Sequence, residues 1–336
     1  MHPTVGLIAN PASGKDIRRL IAHGSVFDNN EKANIIRRVL RALDVFGVKR
    51  VLAMPDLYGL VLRALEEAHV GLRVEFVDIP VTNTAADSRL AATVMAQAGV
   101  RCIVTVGGDG TNRVVAQGCH NVPLVPISTG TNNVFPSFVE STLAGMAAAA
   151  VALDVERVWE QAVHRARRLE ILREGRVVDI ALVDVVVYDE RFVATKAIWD
   201  ADKMRALFLT APYRGTIGAS AIAAYLPWAE QVARDSAGLY VELGAGQTRV
   251  LAPIAPGLIV PVSVRSVSPL ELEQTVPIPH APSILALDGE REVPVPPGAS
   301  VAVRLSARGP YVVDVQAALQ AAVEEGFFVQ GGTERG

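Results

Sequence analysis

The chain has 336 residues, half of them hydrophobic, with a formal net charge of −3 and a sequence pI near 6.1. That length predicts two domains, because a single hydrophobic core rarely serves so many residues. The lack of a basic excess argues against nucleic acid as a partner and favours small-molecule chemistry. The two cysteines, Cys102 and Cys119, indicate neither a disulfide framework nor a zinc site, which fits a reducing cytoplasm.

The chain opens on a strand-like run, without the basic and apolar regions of a signal peptide, so none is expected. The most apolar runs, 143–153 and 250–264, are too short or too broken by proline for the roughly 20 helical residues that span a bilayer. We therefore expect a cytoplasmic protein with no stable membrane insertion.

From the start to about residue 139, apolar strand-like runs alternate with helical ones, the pattern of a parallel, Rossmann-like α/β domain. The predicted strands are 5–9, 50–53, 73–77, 101–106 and 124–127, and the predicted helices are 31–46, 56–69, 85–98 and 112–119. Ligands of such sheets gather at the carboxyl ends of the strands. Motifs that follow these strands can therefore share one crevice.

Beyond the alanine-rich stretch 141–153, alternating segments such as 177–187 and 191–198 are punctuated by prolines and glycines. This texture predicts a mostly β, sandwich-like second domain. The apolar period of 315–328 predicts a final helix that returns to the first domain. The predicted division is an α/β domain of residues 1–139 with 311–330, followed by a β-rich domain of residues 140–310.

The most specific motif is a glycine-rich turn with one acid, Gly107-Gly-Asp-Gly-Thr111, between an apolar strand and a helix. Its glycines let backbone N–H groups close on phosphate oxygens, and the helix N-terminus adds its positive end. A bare carboxylate would repel phosphate there unless it held Mg²⁺ or took the proton of an acceptor hydroxyl, so we interpret Asp109 as catalytic. The alternative is a turn in which Asp109 or Thr111 merely caps the helix. The donor-binding residues predicted in this turn are Gly107, Gly108, Gly110 and Thr111.

Two more turns follow strands: Asn10-Pro-Ala-Ser-Gly-Lys15 and Gly130-Thr-Asn-Asn133. Taken alone, the first is an ordinary loop without Walker A spacing, and the second is equally a helix N-cap. Their position after strands favours contacts with phosphate or ribose. They add to the predicted donor site Asn10, Pro11, Ser13, Gly14, Lys15, Gly130, Thr131, Asn132 and Asn133.

The fourth motif, Asp288-Gly-Glu290, follows the apolar run 284–287 and by itself indicates a hairpin. In a phosphoryl-transfer site, however, Asp288 and Glu290 are candidate ligands for Mg²⁺, which needs one or two carboxylates. Asp288 is also a candidate for an alternative catalytic base.

Together the four motifs resemble the superfamily that joins NAD kinases with diacylglycerol and sphingosine kinases. The opening stretch 10–19 is similar to the acetoin-catabolism X branch, identified as predicted ATP-NAD kinases. The resemblance implies an α/β domain followed by a β domain, with ATP or polyphosphate bound between them and Asp109 near the transferred group. By the same resemblance Asn10, Gly108 and Thr131 line the donor site, and the protein forms a homo-oligomer.

The stretch 181–187 is similar to the NAD kinase segment in which an Asn-Glu or Asn-Asp pair grips the dinucleotide. Here the pair reads Val183-Asp184, so Asp184 keeps the substrate-binding acid while the amide is missing. A missing polar contact can cost orders of magnitude in discrimination.

The expected activity is Mg²⁺-dependent transfer of a phosphoryl group from ATP or polyphosphate to the hydroxyl of a small molecule, in the manner of NAD kinases, with NAD among the candidate acceptors. One alternative is a lipid or other small-alcohol kinase, which the motifs at 130–133 and 288–290 favour. The other is a catalytically silent nucleotide-binding regulator tied to acetoin catabolism.

Overall fold

The structure, a computed structural model, describes residues 3–13, 28–130, 132–189, 201–234, 238–289 and 291–329. The described strands are β1 (Thr4–Ala9), β2 (Arg50–Ala53), β3 (Arg73–Phe76), β4 (Cys102–Gly107), β5 (Leu124–Ser128), β6 (Val163–Arg165), β7 (Arg168–Arg173), β8 (Arg176–Ala181), β9 (Asp184–Tyr188), β10 (Met204–Leu209), β11 (Gly238–Ala255), β12 (Leu258–Leu270), β13 (Thr275–Pro277), β14 (Ser283–Leu287), β15 (Arg291–Val295), β16 (Val301–Ser306) and β17 (Tyr311–Val313). The described helices are α1 (Asn29–Val45), α2 (Leu60–Ala68), α3 (Ala85–Gln97), α4 (Asp109–Ala116), α5 (Ser141–Ala152), α6 (Val158–Ala162), α7 (Ser220–Ala224), α8 (Ala229–Arg234) and α9 (Val315–Glu324).

The first half of the molecule is built on a seven-stranded sheet of order β3-β2-β1-β4-β5-β17-β6. Strands β1 to β5 and β17 run parallel, and β6 pairs antiparallel with β17 at the edge. Every residue of β1, β4 and β5 is buried, because helices cover both faces of a parallel sheet. The predicted parallel α/β domain is confirmed.

Helix α1 packs one apolar face on this sheet, and Asp28 caps its N-terminus with a carboxylate that accepts the Glu31 N–H at 2.8 Å. The alanine-rich α5 lies close against α1, since a Cβ on Gly145 would come within 2.8 Å of the Ala42 Cβ. Small side chains allow this close approach. The packing thus places 141–165 with the first sheet, whereas the predicted boundary lies between residues 139 and 140.

The second half is an antiparallel β-sandwich. A six-stranded sheet of order β12-β11-β10-β9-β14-β15 faces a four-stranded sheet of order β13-β16-β7-β8. Side chains such as Val185 and Phe208 from one sheet meet Ile171 and Val303 from the other in a shared core. The sandwich-like second domain is confirmed.

Several predicted elements differ from the structure in their bounds. The alternating run 177–187 forms two strands, β8 and β9, that belong to different sheets. Helix α2 begins at Leu60, later than predicted, because the Asp56 carboxylate accepts the Leu60 N–H at 3.0 Å and Gly59 has a φ of +62°. The predicted strand 191–198 lies outside the described residues. No helix in the described part of the chain is both long and apolar enough to cross a bilayer.

Candidate active site

The turns that follow β1, β4 and β5 meet at the carboxyl edge of the first sheet and bond to one another. The Asn10 side-chain amide donates to Thr111 Oγ1 at 2.9 Å. The hydroxyls of Ser13 and Thr129 are hydrogen-bonded at 3.1 Å. The turn after β1 lies about a hundred residues from the other two along the sequence, yet the three turns form one polar surface.

The two leading glycines of the acidic turn are required by close packing. An ideal Cβ on Gly108 would lie 2.8 Å from Asn133 Oδ1, and one on Gly107 would lie 2.6 Å from the Thr111 Cβ. Real Cβ atoms do not approach other atoms so closely. A side chain at Gly108 would push the turns after β4 and β5 apart, and one at Gly107 would collide with Thr111 in the first turn of α4.

Asp109 lies in the first turn of α4 and is 8% exposed. Its carboxylate accepts the Val134 N–H at 3.0 Å and the Phe135 N–H at 2.7 Å. These bonds fix the carboxylate against the segment that follows β5, and Asp109 lines the central cleft. The acid is thus held in one position at the surface where the turns meet.

A buried lysine supports the turn after β1 from below. The Lys32 side chain is fully buried, and its Nζ donates to the carbonyls of Asn10 at 3.0 Å, Pro11 at 2.9 Å and Ser13 at 2.5 Å. A buried ammonium is costly unless it is hydrogen-bonded, and these carbonyls supply the bonds. Sequence reasoning missed Lys32, because a lysine in an amphipathic helix is typical of the solvent face.

The facing wall comes from the second half, where Asp184 begins β9 and Asp288 follows β14. Asp288 and Gly289 have φ angles of +49° and +68° and turn the chain into β15, so this motif is a hairpin. The same Asp288 is nevertheless buried, and its carboxylate accepts the N–H groups of Leu182, Val183 and Asp184 at 2.8–3.2 Å.

Burial raises the pKa of Asp184 to about 8, and the nearby charge of Asp288 adds to this shift. Burial also raises the pKa of Asp288, although the Arg113 charge and three backbone N–H groups oppose it. Asp184 Oδ1 is buried without a hydrogen-bond partner among the described residues. This oxygen is therefore available to a ligand or a cation.

Tyr213 shows that the carboxylates of the two halves converge. Its hydroxyl is hydrogen-bonded to Thr210 Oγ1 at 2.7 Å. Burial raises the pKa of Tyr213 to about 12, and the charges of Asp288, Asp109 and Asp184 each contribute. All three carboxylates thus lie within electrostatic range of one phenol.

These residues enclose a cleft of about 510 Å³ between the two halves. Its lining includes nine of the predicted site residues: Asn10, Pro11, Ser13, Asp109, Thr111, Asn132, Asn133, Asp184 and Asp288. Gly110 instead lines an adjacent cavity of about 420 Å³ with Arg113 and Gln117. Gly107, Gly108 and Gly130 belong to the same turns without lining the cleft as described. The predicted residues Gly14, Lys15, Thr131 and Glu290 lie outside the described residues.

Over the ranges that the structure describes, no three or more His, Cys, Asp or Glu side chains form a group that could hold a metal ion. Asp184 and Asp288 form a carboxylate pair instead. Because Mg²⁺ usually keeps several waters and takes only one or two carboxylates, such a pair suits it.

Comparison with known proteins places both halves of the chain. An ATP-NAD kinase N-terminal domain model matches residues 5–155, and a model of the acetoin catabolism protein X C-terminal domain matches residues 167–308. Acetoin catabolism protein X of Cupriavidus necator is 39% identical over 336 residues, covering 95% of this chain and 92% of that protein. This chain belongs to the acetoin catabolism protein X family. The resemblance inferred from the motifs is confirmed, and the first half of this family member is an NAD kinase-type domain.

Two solved structures are similar over most of their length. Yeast NADH kinase complexed with NADH is 11% identical with a TM-score of 0.45, covering 100% of this chain and 90% of that one. A putative diacylglycerol kinase from Bacillus anthracis is 12% identical with a TM-score of 0.38, covering 93% and 98%. Likeness of this order carries no argument about activity or substrate.

Proposed function

We propose that this chain is a Mg²⁺-dependent phosphotransferase that moves the terminal phosphoryl group of ATP, or of polyphosphate, to the hydroxyl of a small molecule. The proposal rests on the convergence of Asp109, from the NAD kinase-type half, with Asp184 and Asp288 on one cleft. A site that combines phosphate-binding turns with carboxylates suits phosphoryl transfer, because the carboxylates can hold a cation or take a proton.

The donor phosphates would bind on the polar surface that the three turns form. Ser13, Thr111, Asn132 and Asn133 supply hydroxyl and amide groups there. The N-terminus of α4 adds backbone N–H groups and the positive end of the helix dipole. This surface can therefore bind an anion through dipoles that are already fixed in position.

The residues present also fit Mg²⁺. Asp184 Oδ1 lacks a hydrogen-bond partner among the described residues and would be the first ligand. Asp288 lies beside it and would share with the metal an oxygen that also accepts a backbone N–H group. The bound metal would offset the negative charge that develops on the transferred group. Glu290, predicted as a further ligand, is not among the residues described.

In this mechanism Asp109 orients the acceptor hydroxyl and takes its proton as transfer proceeds. Its two bonds to backbone N–H groups hold the carboxylate in place, so its orientation is fixed before the acceptor binds. The turns hold the donor, and the facing wall holds the acceptor. The two substrates meet in the cleft between the halves.

The test is the Asp109→Asn variant, assayed for ADP release from Mg-ATP with a panel of hydroxyl acceptors that includes NAD. We expect kcat to fall by about a hundredfold or more, because general-base catalysis contributes about 10²–10⁴. The fold should persist, since the amide oxygen of asparagine can still accept the Val134 and Phe135 N–H groups. Asp154→Asn, at an acid whose side chain is 77% exposed, is the control. Undiminished turnover in Asp109→Asn would contradict the proposal.

A nucleotide-binding regulator without catalysis is a second candidate. It is favoured by the fact that the carboxylates of Asp109 and Asp288 both accept backbone N–H groups, as structural anchors do. This candidate requires ATP binding without ADP formation under any acceptor condition. Single-turnover incubation with labelled ATP separates it from the kinase.

A further inference from the structure

The wall of the cleft that β9 supplies changes from polar to apolar along a single strand. Asp184, Val186 and Tyr188 alternate along β9, so their side chains lie on the same face of the sheet. All three line the cleft. At about 3.3 Å per residue, this lined stretch extends about 13 Å from the carboxylate end.

Neighbouring strands continue the apolar surface. Met204 of β10 is paired with Tyr188, and Ala286 of β14 is paired with Val186. Both line the cleft, as do Ile254 of β11 and Ile217 from the segment between β10 and α7. In the described part of this end no side chain is charged, and Tyr188 and Ser220 supply its polar groups.

The apolar end discriminates between classes of acceptor. A dinucleotide would carry a second nucleotide and its phosphate charges into this end, where the described wall offers no cation to compensate their desolvation. An uncharged alcohol with an apolar substituent gains affinity there instead, about fourfold for each buried methylene. The cleft volume of about 510 Å³, shared with the donor phosphates, fits a compact molecule.

We infer that the acceptor is an uncharged alcohol whose hydroxyl lies at the Asp184–Asp288 end and whose compact apolar part lies along Val186 and Tyr188. The fate of the hydroxyl rests on the proposed function. The hydroxyl oxygen bonds to the γ-phosphorus while the bond from that phosphorus to the β–γ bridging oxygen breaks. ADP leaves with that oxygen, and the hydroxyl proton passes to Asp109.

The first experiment is calorimetric titration of the full chain with 1-butanol, 1-pentanol, 1-hexanol and 1-octanol, and with glycerol and NAD for comparison. We expect Kd to fall about fourfold per methylene until the apolar end is filled. Glycerol and NAD should bind more weakly than 1-hexanol. A Kd that does not vary with chain length, or NAD binding more tightly than 1-hexanol, would overturn the inference.

A substitution in the apolar end tests whether the alcohols bind there. Ala286→Phe places a ring in the apolar end and should weaken 1-octanol at least tenfold while Mg-ATP still binds. Val178→Phe on β8, at a valine that is 49% exposed, is the matched control and should leave the 1-octanol affinity unchanged. Circular dichroism establishes whether each variant folds, and the chain-length series on the natural chain decides the question if Ala286→Phe does not.

Assays of phosphate transfer from Mg-ATP to the same compounds distinguish the proposed kinase activity from the proposed identity of the acceptor. If alcohols bind with the expected dependence on chain length but no phosphate monoester forms, the binding inference stands and the kinase proposal fails. If phosphate is transferred to NAD in preference to the alcohols, the kinase proposal stands and the inference about the acceptor fails.

Discussion

The two walls of the cleft are constructed differently. On the first-sheet side, side chains from three turns bond to one another and to the backbone, as in the Asn10–Thr111 and Ser13–Thr129 pairs. On the β9 side, Asp184 keeps an oxygen without a hydrogen-bond partner among the described residues, and apolar side chains follow it. The polar side chains of the first wall thus bond to one another within the protein. On the other wall, a hydrogen bond or a metal ligand for Asp184 Oδ1 has to come from a bound molecule or cation.

The largest effect that we expect on the first wall comes from Lys32→Met. This change removes the donor from the buried carbonyl of Pro11 and from the partly buried carbonyls of Asn10 and Ser13. We expect the free energy of unfolding to fall by about 3 kcal/mol, the cost of leaving buried polar groups unpaired. Urea denaturation measures it, and calorimetry should show weaker Mg-ATP binding in the variant that remains folded.

Lys49→Met is the matched control, because Lys49 is exposed and lies outside the turn. If both substitutions cost the same stability, Lys32 does not support the turn. In that case the hydrogen bonds of Lys32 would not stabilise the first wall, and the proposed difference between the two walls would be wrong.

On the facing wall the expected effect is a pH dependence. Burial raises the pKa of Asp184 to about 8, while an unfolded aspartate titrates near a pKa of about 3.9. Between these values the folded state holds a proton that the unfolded state has released. Stability therefore falls as pH rises from about 4 to about 8, by at most about 1.4 kcal/mol per pH unit.

Asp184→Asn should remove this slope, as measured by urea unfolding across the pH range with a chelator present to exclude metal ions. Asp154→Asn, at an exposed acid, should keep it. Equal slopes in the natural chain and the Asp184→Asn variant would show that burial of this carboxyl does not govern the pH dependence.

The smallest effect belongs to the surface of the first half. Arg101 and Asp154 form an ion pair at 3.0 Å with side chains 51% and 77% exposed. Because exposed pairs contribute about 0.2–1 kcal/mol and are screened by salt, Arg101→Ala should cost less than about 1 kcal/mol. Urea denaturation at low and high salt tests this, and a cost comparable with that of Lys32→Met would mean that surface charge, not the buried network, stabilises this half.

Local patterns predicted the first half well because its elements follow one another along the chain. The apolar runs of β1, β4 and β5 and the helical period of α1 indicate their structures directly, and the turns after these strands carry the motifs predicted to bind the donor. The shared crevice followed from the rule that parallel strands end at one edge. The position of Asp109 at this edge of the sheet was therefore predicted from the sequence, and its catalytic role stays a prediction.

Long-range pairing and buried polar contacts could not be predicted in this way. Asp184 and Asp288 come together because β9 pairs with β14, about a hundred residues further along the chain. The alternation of apolar and polar residues predicts a strand, but it does not predict which other strand pairs with it. The run 177–187 is divided between β8 and β9, which belong to different sheets. The sequence therefore could not show which of its side chains face the core and which face the cleft. The apolar lining from Tyr188 and Met204 depends on that assignment.

The strand order of the first sheet bears on how the protein is made. The outer neighbour of β5 is β17, whose residues follow β5 by about 180 positions. During synthesis the first sheet stays incomplete, with this edge of β5 unpaired, until almost all of the second half has been translated. An uncovered strand edge is a template for pairing with other chains. Premature termination before Tyr311 should therefore produce an aggregating fragment rather than an independently folded domain.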